Sequence, residues 1–222
     1  MELVLPTVLH GLQAVEGLKA GRTSARETPP VQAVPMEDIE RTLPELSKTI
    51  ATMVQLQLLT GARPGEIVIM RAGDIDRSGQ VCQYRPTHHK NTWRNFTRVI
   101  PLGPQAQKLL TPFLKRAFPT AYLFDPREAN ERSITNPKNP AMSKTGHYTA
   151  MSYGTAIVRA CSRAGVQKWT PGRLRHNAAE EIHKRFGLEA ASAHLGHRRV
   201  ETTQIYSNNT TETAIRIAKE IG

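Results

Sequence analysis

Three residues near the end of the chain have side chains suited to phosphate chemistry: Arg175, His197 and Tyr206. An arginine binds phosphate oxygens through two parallel hydrogen bonds, a histidine transfers a proton near neutral pH, and a tyrosine can form a covalent intermediate. His194 and His197 form a His-x-x-His pair, but no third ligand stands in a convincing frame for zinc. The residues therefore predict chemistry on a phosphate ester, with neither a metal nor another cofactor.

A helix is predicted to carry Arg175. Thr170 can cap a helix and Pro171 suits the first helical position, so Arg175 falls in the early turns. Further along, HRRVETTQIYS reads as a helix that offers Tyr206 near its end. A tyrosine on such a helix is more often a core residue, and only the LGH tripeptide before it favours chemistry. The tyrosines without this context are expected in the core: Tyr84, Tyr122, Tyr148 and Tyr153.

A second arginine, Arg63, lies at a predicted junction between two helices. The apolar run TIATMVQLQLLT predicts a buried helix that ends at Gly61, and Pro64 opens the next helix. Rigid neighbours on both sides can aim the Arg63 side chain into a cleft. Taken alone, an arginine here is more often part of a helix cap. Glu66 follows three residues later on the same helical face, where it can hold the guanidinium in orientation.

The segments TGARPGE, RLRHNAA and LGHRRVETTQIYS resemble, in their order and spacing, the catalytic segments of the tyrosine recombinase (phage integrase) family. The resemblance runs from TGARPGE to Tyr206. It implies a mainly α catalytic-domain fold, of α+β class, with a small antiparallel β-hairpin or sheet. It also implies that Tyr206 attacks a DNA phosphodiester, forms a 3′-phosphotyrosyl link and frees a 5′-hydroxyl. Because the link conserves the bond energy, religation needs neither ATP nor metal.

The same resemblance assigns a role to each matching residue. Arg63 and Arg175 would clamp the non-bridging phosphate oxygens, and His197, nine residues before the nucleophile, would hydrogen-bond one of them. In this family a lysine from a β-hairpin reaches the scissile phosphate, and HHKN places Lys90 there. A lysine can protonate a leaving oxygen because its pKa falls readily on desolvation. Contacts with DNA are assigned to three further basic residues: Arg94, Arg198 and Arg199.

One position departs from the family pattern. The family usually carries a histidine three residues before the second arginine, where this chain has Gly172. Glycine cannot transfer a proton, although it lets backbone N–H groups of the helix terminus approach a phosphate. Arg173 adds charge but cannot act as a base. His176 should face another direction from Arg175, and we assign it a structural hydrogen bond. The departure leaves the acid–base part of the mechanism open.

The remaining patterns predict the elements that position these residues. Helices are predicted over 36–43, 45–60, 105–118 and 149–164, and the two strands of a hairpin over 80–85 and 96–101. Residues 74–79 are turn-rich. Core positions of the helix over 105–118 are predicted at Leu109, Leu110, Phe113 and Leu114.

The resemblance also divides the chain into three parts. Residues 1–35, a helix and a Gly- and Pro-rich linker, are assigned to the end of a core-binding domain that the chain is too short to contain. Residues 36–209 are assigned to the catalytic domain and 210–222 to a tail helix. In this family such a tail often packs on a neighbouring subunit, although it can equally fold back. We expect a tetramer on DNA, while a monomer in isolation is compatible.

Composition favours a nucleic-acid partner. Lys and Arg total 30 against 19 Asp and Glu, which leaves a net charge of +11 and favours double-stranded DNA. The apolar start LVLPTVL is too short to span a membrane, and no basic amphipathic anchor stands out. Cys82 and Cys161 form neither a zinc spacing nor a secreted framework, which favours the cytoplasm.

The sequence is therefore interpreted as a site-specific DNA recombinase or integrase, as in integration or excision of a mobile element. Two alternatives stay open. A recombinase-like DNA-binding protein that has lost catalysis would account for Gly172. A type IB topoisomerase would share the chemistry but relax supercoils without a site preference. A covalent adduct that disappears in Tyr206→Phe separates the enzymes from the binding protein.

Overall fold

The computed structural model describes residues 5–15, 22, 24, 26, 30–87, 98–115, 117–126 and 146–196. The elements are α1 (Pro6–Ala14), α2 (Met36–Thr42), α3 (Lys48–Thr60), α4 (Pro64–Val68), β1 (Ile75–Asp76), β2 (Cys82–Tyr84), β3 (Ile100–Leu102), α5 (Pro104–Leu114), α6 (Ala150–Ala164), α7 (Pro171–Phe186) and α8 (Leu188–Leu195). The chain divides into two compact units, residues 1–31 with α1 and residues 32–222 with all other elements. The predicted mainly α fold with a small antiparallel sheet is confirmed.

The core of the second unit is built around α3. Its residues Met53, Val54 and Leu56 are fully buried, as expected for a helix with apolar side chains on more than one face. Helices α5 and α7 both lie against it. Just before α7, Trp169 is buried and its Nε1 donates a hydrogen bond to Oγ1 of Thr42 in α2, at 3.3 Å. The segment that leads into α7, the helix that carries Arg175, is thereby held to the end of α2.

The three strands form one sheet in the order β1-β2-β3, with both pairs antiparallel. Tyr84 of β2 is paired with Ile75 on one side and Ile100 on the other, and all three side chains are buried. Gln83, between buried neighbours, is exposed, which is the alternation of a sheet with one face on the core. The predicted hairpin is present, and its paired strands are shorter than the sequence pattern predicts.

The prediction of a turn over 74–79 is wrong in its first part, because β1 occupies Ile75–Asp76. The turn follows the strand: the Asp76 carboxylate accepts hydrogen bonds from the N–H and hydroxyl of Ser78, at 3.0 and 2.7 Å. A strand of two residues is too short to show an alternating pattern and is defined by its pairing with β2, Ile75 with Tyr84 and Asp76 with Gln83, whereas the Asp-Ser-Gly composition signals only the turn.

Two helix ends also differ from the predictions. α3 begins at Lys48 instead of 45, because Leu43–Glu45 forms a 3₁₀ turn and the Ser47 hydroxyl caps the helix by accepting from the Ile50 N–H. α5 ends at Leu114 instead of 118, shortly after Pro112, which has no N–H for a helical hydrogen bond. By contrast, α6 and α7 begin where Thr149 and Thr170 predict.

Helix α7 fastens the segment that precedes α2. The Arg173 guanidinium donates to the main-chain carbonyls of Gln32 and Ala33, both at 2.8 Å. One turn later, the Asn177 amide accepts from the Val34 N–H at 2.9 Å and donates to the Val34 carbonyl at 2.6 Å.

Among the described residues, no helix has the length and apolar composition that crossing a membrane requires.

Candidate active site

Arg63 emerges from a rigid junction between two helices. Gly61, with φ of +60°, ends α3 in the left-handed conformation that favours glycine, and Pro64 opens α4 two residues after Ala62, which is fully buried. The Arg63 backbone is extended at the N-cap position of α4, and its side chain is 30% exposed. A buried main chain therefore presents a partly exposed guanidinium.

Glu66 holds Arg63 through both carboxylate oxygens. The Arg63 N–H donates to Oε2 at 2.7 Å, and Nη1 of Arg63 donates to Oε1 at 2.9 Å. The Glu66 side chain is 2% exposed, and its main-chain carbonyl accepts a hydrogen bond of 2.6 Å from the Tyr84 hydroxyl. A buried carboxylate requires such partners. The contact that helical spacing predicts between Arg63 and Glu66 is present.

Arg98, which sequence reasoning missed, lies next to the same carboxylate. Its side chain is 3% exposed and its Nε is 3.7 Å from Oε1 of Glu66. Burial lowers the pKa of the Arg98 guanidinium, the negative charge of Glu66 raises it, and the positive charge of Arg63 lowers it further. The sequence did carry a signal. Arg98 stands two and four residues before the buried Ile100 and Leu102, so it shares their inward face in a strand pattern.

Arg175 connects two segments that lead to predicted catalytic positions. It is 6% exposed, in the second turn of α7. Its Nη1 donates to the carbonyl of Gly61, two residues before Arg63, and its Nη2 donates to the carbonyl of Leu195 at 2.8 Å, two residues before His197. The guanidinium thereby ties the α3–α4 junction and the end of α8 to α7.

Two glycines let these segments approach closely. Gly196, with φ of +65°, ends α8, and a Cβ placed there would lie 2.2 Å from Nη1 of Arg98. A Cβ at Gly61 would lie 2.4 Å from Cδ2 of Leu195. Real Cβ contacts are longer than 3.0 Å, so a side chain at either position would require Arg98 or Leu195 to move. At Gly61 of the TGAR segment the main chain packs against the Leu195 side chain, and at Gly196 of the LGH segment it packs against the Arg98 side chain.

Two histidines near the arginines have lowered pKa values. For His194, burial lowers the pKa most, and the charges of Arg98 and Arg175 lower it further against main-chain hydrogen bonds that raise it. Burial also lowers the pKa of His176, together with the charges of Arg173 and Arg175. Both imidazoles are therefore neutral at pH 7.

In the part of the chain that the structure describes, no group of three or more His, Cys, Asp or Glu side chains is placed to hold a metal ion.

Gly172 lies in the first turn of α7 and is exposed. A Cβ placed there meets no atom of the described residues within 4 Å. Its neighbour Arg173 directs its guanidinium to the carbonyls of Gln32 and Ala33. The positive charge predicted beside Gly172, that of Arg173, is therefore hydrogen-bonded to main-chain carbonyls.

The remaining predicted site residues lie outside the described residues. They are Lys90, Arg94, His197, Arg198, Arg199 and Tyr206. The other four of the five tyrosines are described. Tyr84, Tyr148 and Tyr153 are buried, and burial raises the pKa of each phenol. The prediction of a core position is wrong for Tyr122, which is only half-buried because its hydroxyl accepts a hydrogen bond of 2.6 Å from Nη2 of the partly exposed Arg71. Buried phenols of raised pKa are poor nucleophiles.

The arrangement is suited to binding an anion. Arg63, Arg98 and Arg175 stand around the α3–α4 junction with Glu66 as the carboxylate that contacts two of them. Fixed positive charge in a region of low dielectric stabilises negative charge that develops on a reacting phosphoryl group. Of these side chains, Arg63 is the most exposed and so the best placed to meet such a group.

Comparison with known proteins agrees with this chemistry. The sequence matches the Phage integrase family over residues 33–213. The tyrosine recombinase XerC of Bifidobacterium longum subsp. infantis is 28% identical over 165 residues, which cover 73% of this chain and 44% of XerC. The tyrosine recombinase XerD of Corynebacterium glutamicum is 24% identical over an alignment of 233 positions, which covers 95% of this chain and 69% of XerD. The chain thus spans less than half the length of XerC.

Solved structures share the fold. The XerA recombinase superposes with a TM-score of 0.61 at 19% identity, covering 89% of this chain and 66% of XerA. The Tn1549 transposon integrase in complex with circular intermediate DNA gives a TM-score of 0.66 at 15% identity, covering 97% and 76%. A lambda integrase dimer bound to a core site gives 0.60 at 14% identity, covering 86% and 64%. From the family match over most of its length, the chain belongs to the phage integrase family of tyrosine recombinases.

Proposed function

We propose that this chain is the catalytic part of a site-specific DNA recombinase that cuts and rejoins DNA through a phosphotyrosyl link at Tyr206, without a metal ion. The observation that carries the proposal is the arrangement of Arg63 and Arg175 on one junction. Arg175 binds the carbonyl of Gly61, and two residues later Arg63 leaves the junction with its guanidinium partly exposed. Two arginines held by main chain and carboxylate are preorganised for a phosphate.

In the proposed reaction, the phenolic oxygen of Tyr206 attacks phosphorus, and the bond from phosphorus to the 5′-oxygen breaks. The phenol releases its proton to solvent water, and the 5′-oxygen takes one from the Lys90 ammonium, which is reprotonated from solvent. Arg63, Arg175 and His197 stabilise the non-bridging oxygens. The ordinary pKa of a tyrosine is about 10, and a cationic site lowers it by favouring the phenolate. The reverse attack by a 5′-hydroxyl of another strand rejoins the DNA.

The proposed partner is double-stranded DNA, and the assembly contains more than one copy of the chain. The DNA complexes of the Tn1549 integrase and of the lambda integrase dimer support both inferences. We extend the assembly to a tetramer on DNA, with residues 210–222 as a tail helix that packs on a neighbouring subunit. Residues 36–209 are the proposed catalytic domain, acting on DNA in the cytoplasm.

The test traps the covalent intermediate on suicide substrates. A pool of nicked duplexes of randomised sequence is incubated with the chain in EDTA, and DNA that resists denaturing wash is captured with the protein and sequenced. We expect an adduct enriched in one sequence. Tyr206→Phe should abolish it, whereas Tyr153→Phe should retain it, because the buried Tyr153 hydroxyl has no hydrogen-bond partner among the described residues.

Each other outcome points to a different protein. An adduct without sequence enrichment would favour a topoisomerase-like strand transferase. DNA binding without any adduct would favour a recombinase-like binding protein that has lost catalysis. An adduct that requires a divalent cation would overturn the metal-independent mechanism.

A further inference from the structure

We infer that Arg98 is a positioning residue of the proposed active site, which acts through Glu66 on the guanidinium of Arg63. The inference rests on the proposed function for its catalytic consequence. Arg98 is 3% exposed and its Nε lies 3.7 Å from Oε1 of Glu66, so we assign it to the support of that carboxylate and not to contact with the substrate.

The first reason is that the described residues leave two donors of the buried Arg98 guanidinium without hydrogen-bond partners. Its Nε and Nη2 have no hydrogen-bond partner among the described residues, and Glu66 Oε1, at 3.7 Å, lies beyond hydrogen-bond distance. Burying unpaired donors of a charged group destabilises a fold, and such exceptions in native proteins call for an explanation. The charge of Arg98 therefore serves something other than its own hydrogen bonds.

The second reason is the sharing of one carboxylate by two arginines. Glu66 Oε1 is 2.9 Å from Nη1 of Arg63 and 3.7 Å from Nε of Arg98. One carboxylate would cancel the charge of Arg63 alone. With Arg98 beside it, the group of two arginines and Glu66 keeps one positive charge. Arg63, which is the exposed member, can then offer an attractive field to a phosphate while its orientation stays fixed.

The third reason is that Arg98 also supports the end of α8. The main chain at Gly196 passes so close that an added Cβ would lie 2.2 Å from Nη1 and 3.1 Å from Cζ of Arg98. Gly196 immediately precedes the proposed catalytic His197. A single buried guanidinium thus contacts the carboxylate that orients Arg63 and the turn that leads to the histidine.

The catalytic test compares Arg98→Met and Arg98→Lys with a matched control, Arg71→Met. Arg71 donates to the Tyr122 hydroxyl and makes no contact with Glu66 among the described residues. On the selected suicide substrate at saturating DNA, Arg98→Met should slow single-turnover cleavage at least about tenfold without changing the dissociation constant for DNA. Arg98→Lys should recover part of the rate because it restores the charge. Arg71→Met should cleave at the wild-type rate.

A double-mutant cycle shows whether the effect passes through Arg63. In an Arg63→Ala background, Arg98→Met should slow cleavage much less than in the wild type, because the group that it positions through Glu66 is gone and only its contact with the Gly196 turn remains. An equal loss in both backgrounds would overturn the inference, as would a wild-type rate in Arg98→Met.

A stability measurement tests the link to Glu66 without DNA, so that it does not depend on the proposed activity. Glu66→Gln leaves Arg98 buried without its negative partner. Adding Arg98→Met removes that unpaired charge and should raise the urea midpoint of Glu66→Gln. An unchanged or lower midpoint would refute the coupling. If the wild type forms no adduct, the proposed function is contradicted. The urea midpoints still test the interaction between Arg98 and Glu66 in that case.

Discussion

The arginines of the site differ in environment although their side chains are the same. Arg63 is partly exposed, Arg98 is buried beside Glu66, and Arg175 is buried with donors on main-chain carbonyls. Arg98 and Arg175 contact residues that are distant in sequence, whereas Arg63 contacts Glu66, three residues away. The buried Glu66 carboxylate lies beside both Arg63 and Arg98. Its charge should therefore contribute more to the free energy of unfolding than the charge of a surface carboxylate does.

We expect Glu66→Gln to lower the free energy of unfolding by about 3 kcal/mol, because it leaves a buried cation unpaired. The matched control is Glu181→Gln, which removes an exposed ion pair with Arg185 and should cost less than about 1 kcal/mol. Urea denaturation of both variants measures the difference. Equal losses would mean that the buried carboxylate carries no special weight.

Gly172→His should raise the rate of DNA cleavage at least about tenfold, since it supplies the proton-transferring side chain that the family pattern has at this position. Gly172 is exposed, and among the described residues no atom lies within 4 Å of a Cβ placed there, so the substitution meets no clash at Cβ. Single-turnover cleavage of the suicide substrate is the measurement, with Gly172→Ala as the control for helix propensity. A rate unchanged by histidine would show that another group already fills the role.

The lowered pKa of His194 makes the fold sensitive to acid. The unfolded histidine, with its ordinary pKa of 6.5, takes up a proton before the folded one does, so stability is lost as pH falls through 6.5 towards the lower folded value. The groups facing it are Arg98 and Arg175, both positive, with burial as the largest cause. His194→Gln should therefore flatten the decline in the free energy of unfolding between pH 7 and 5, by up to about 1.4 kcal/mol per pH unit. An identical slope in both proteins would contradict this assignment.

At the scale of elements, local signals predicted helix boundaries well and distant pairings poorly. Thr149, Pro171 and Gly61 mark ends through their own backbone preferences, and the helices begin or end there. β1 was missed because a strand of two residues, Ile75–Asp76, is defined by its partner. Arg98 was missed for the same reason: its environment is made by α4 and α8, which are distant in sequence.

The contact between α8 and Arg98 predicts a specific cost for Gly196→Ala. Gly165 is a matched control, since it also caps a helix with φ of +65°, but the nearest atom of the described residues to a Cβ there is Nη2 of Arg41, at 3.9 Å. Gly165→Ala should cost about 1 kcal/mol from left-handed strain. Gly196→Ala should cost about 2 kcal/mol more, because Arg98 must also move. Urea denaturation of the pair isolates the Arg98 contact, and equal costs would argue that the guanidinium yields freely.

At the scale of the whole molecule, the net charge of +11 is the property that most directly concerns DNA. Charge of this sign attracts any duplex, whatever its sequence, through release of counterions from phosphates. It cannot by itself select a site, because selection needs contacts with base edges or with DNA shape. For the proposed recombinase, sequence preference in cleavage and affinity for random DNA are therefore separate properties.

The last prediction concerns the affinity of Tyr206→Phe for random DNA. This variant lacks the proposed nucleophile, so its binding to DNA is reversible and can be measured at equilibrium. Its dissociation constant for a random duplex at physiological salt should lie in the micromolar range or above, as for non-specific electrostatic binding, roughly 1–100 μM. The logarithm of the affinity should fall linearly with the logarithm of salt concentration, with a slope of several units. Fluorescence anisotropy across a salt series measures both. Nanomolar binding, or binding that salt leaves unchanged, would show that contacts other than phosphate charge dominate, since only a charge-driven interface exchanges counterions on association.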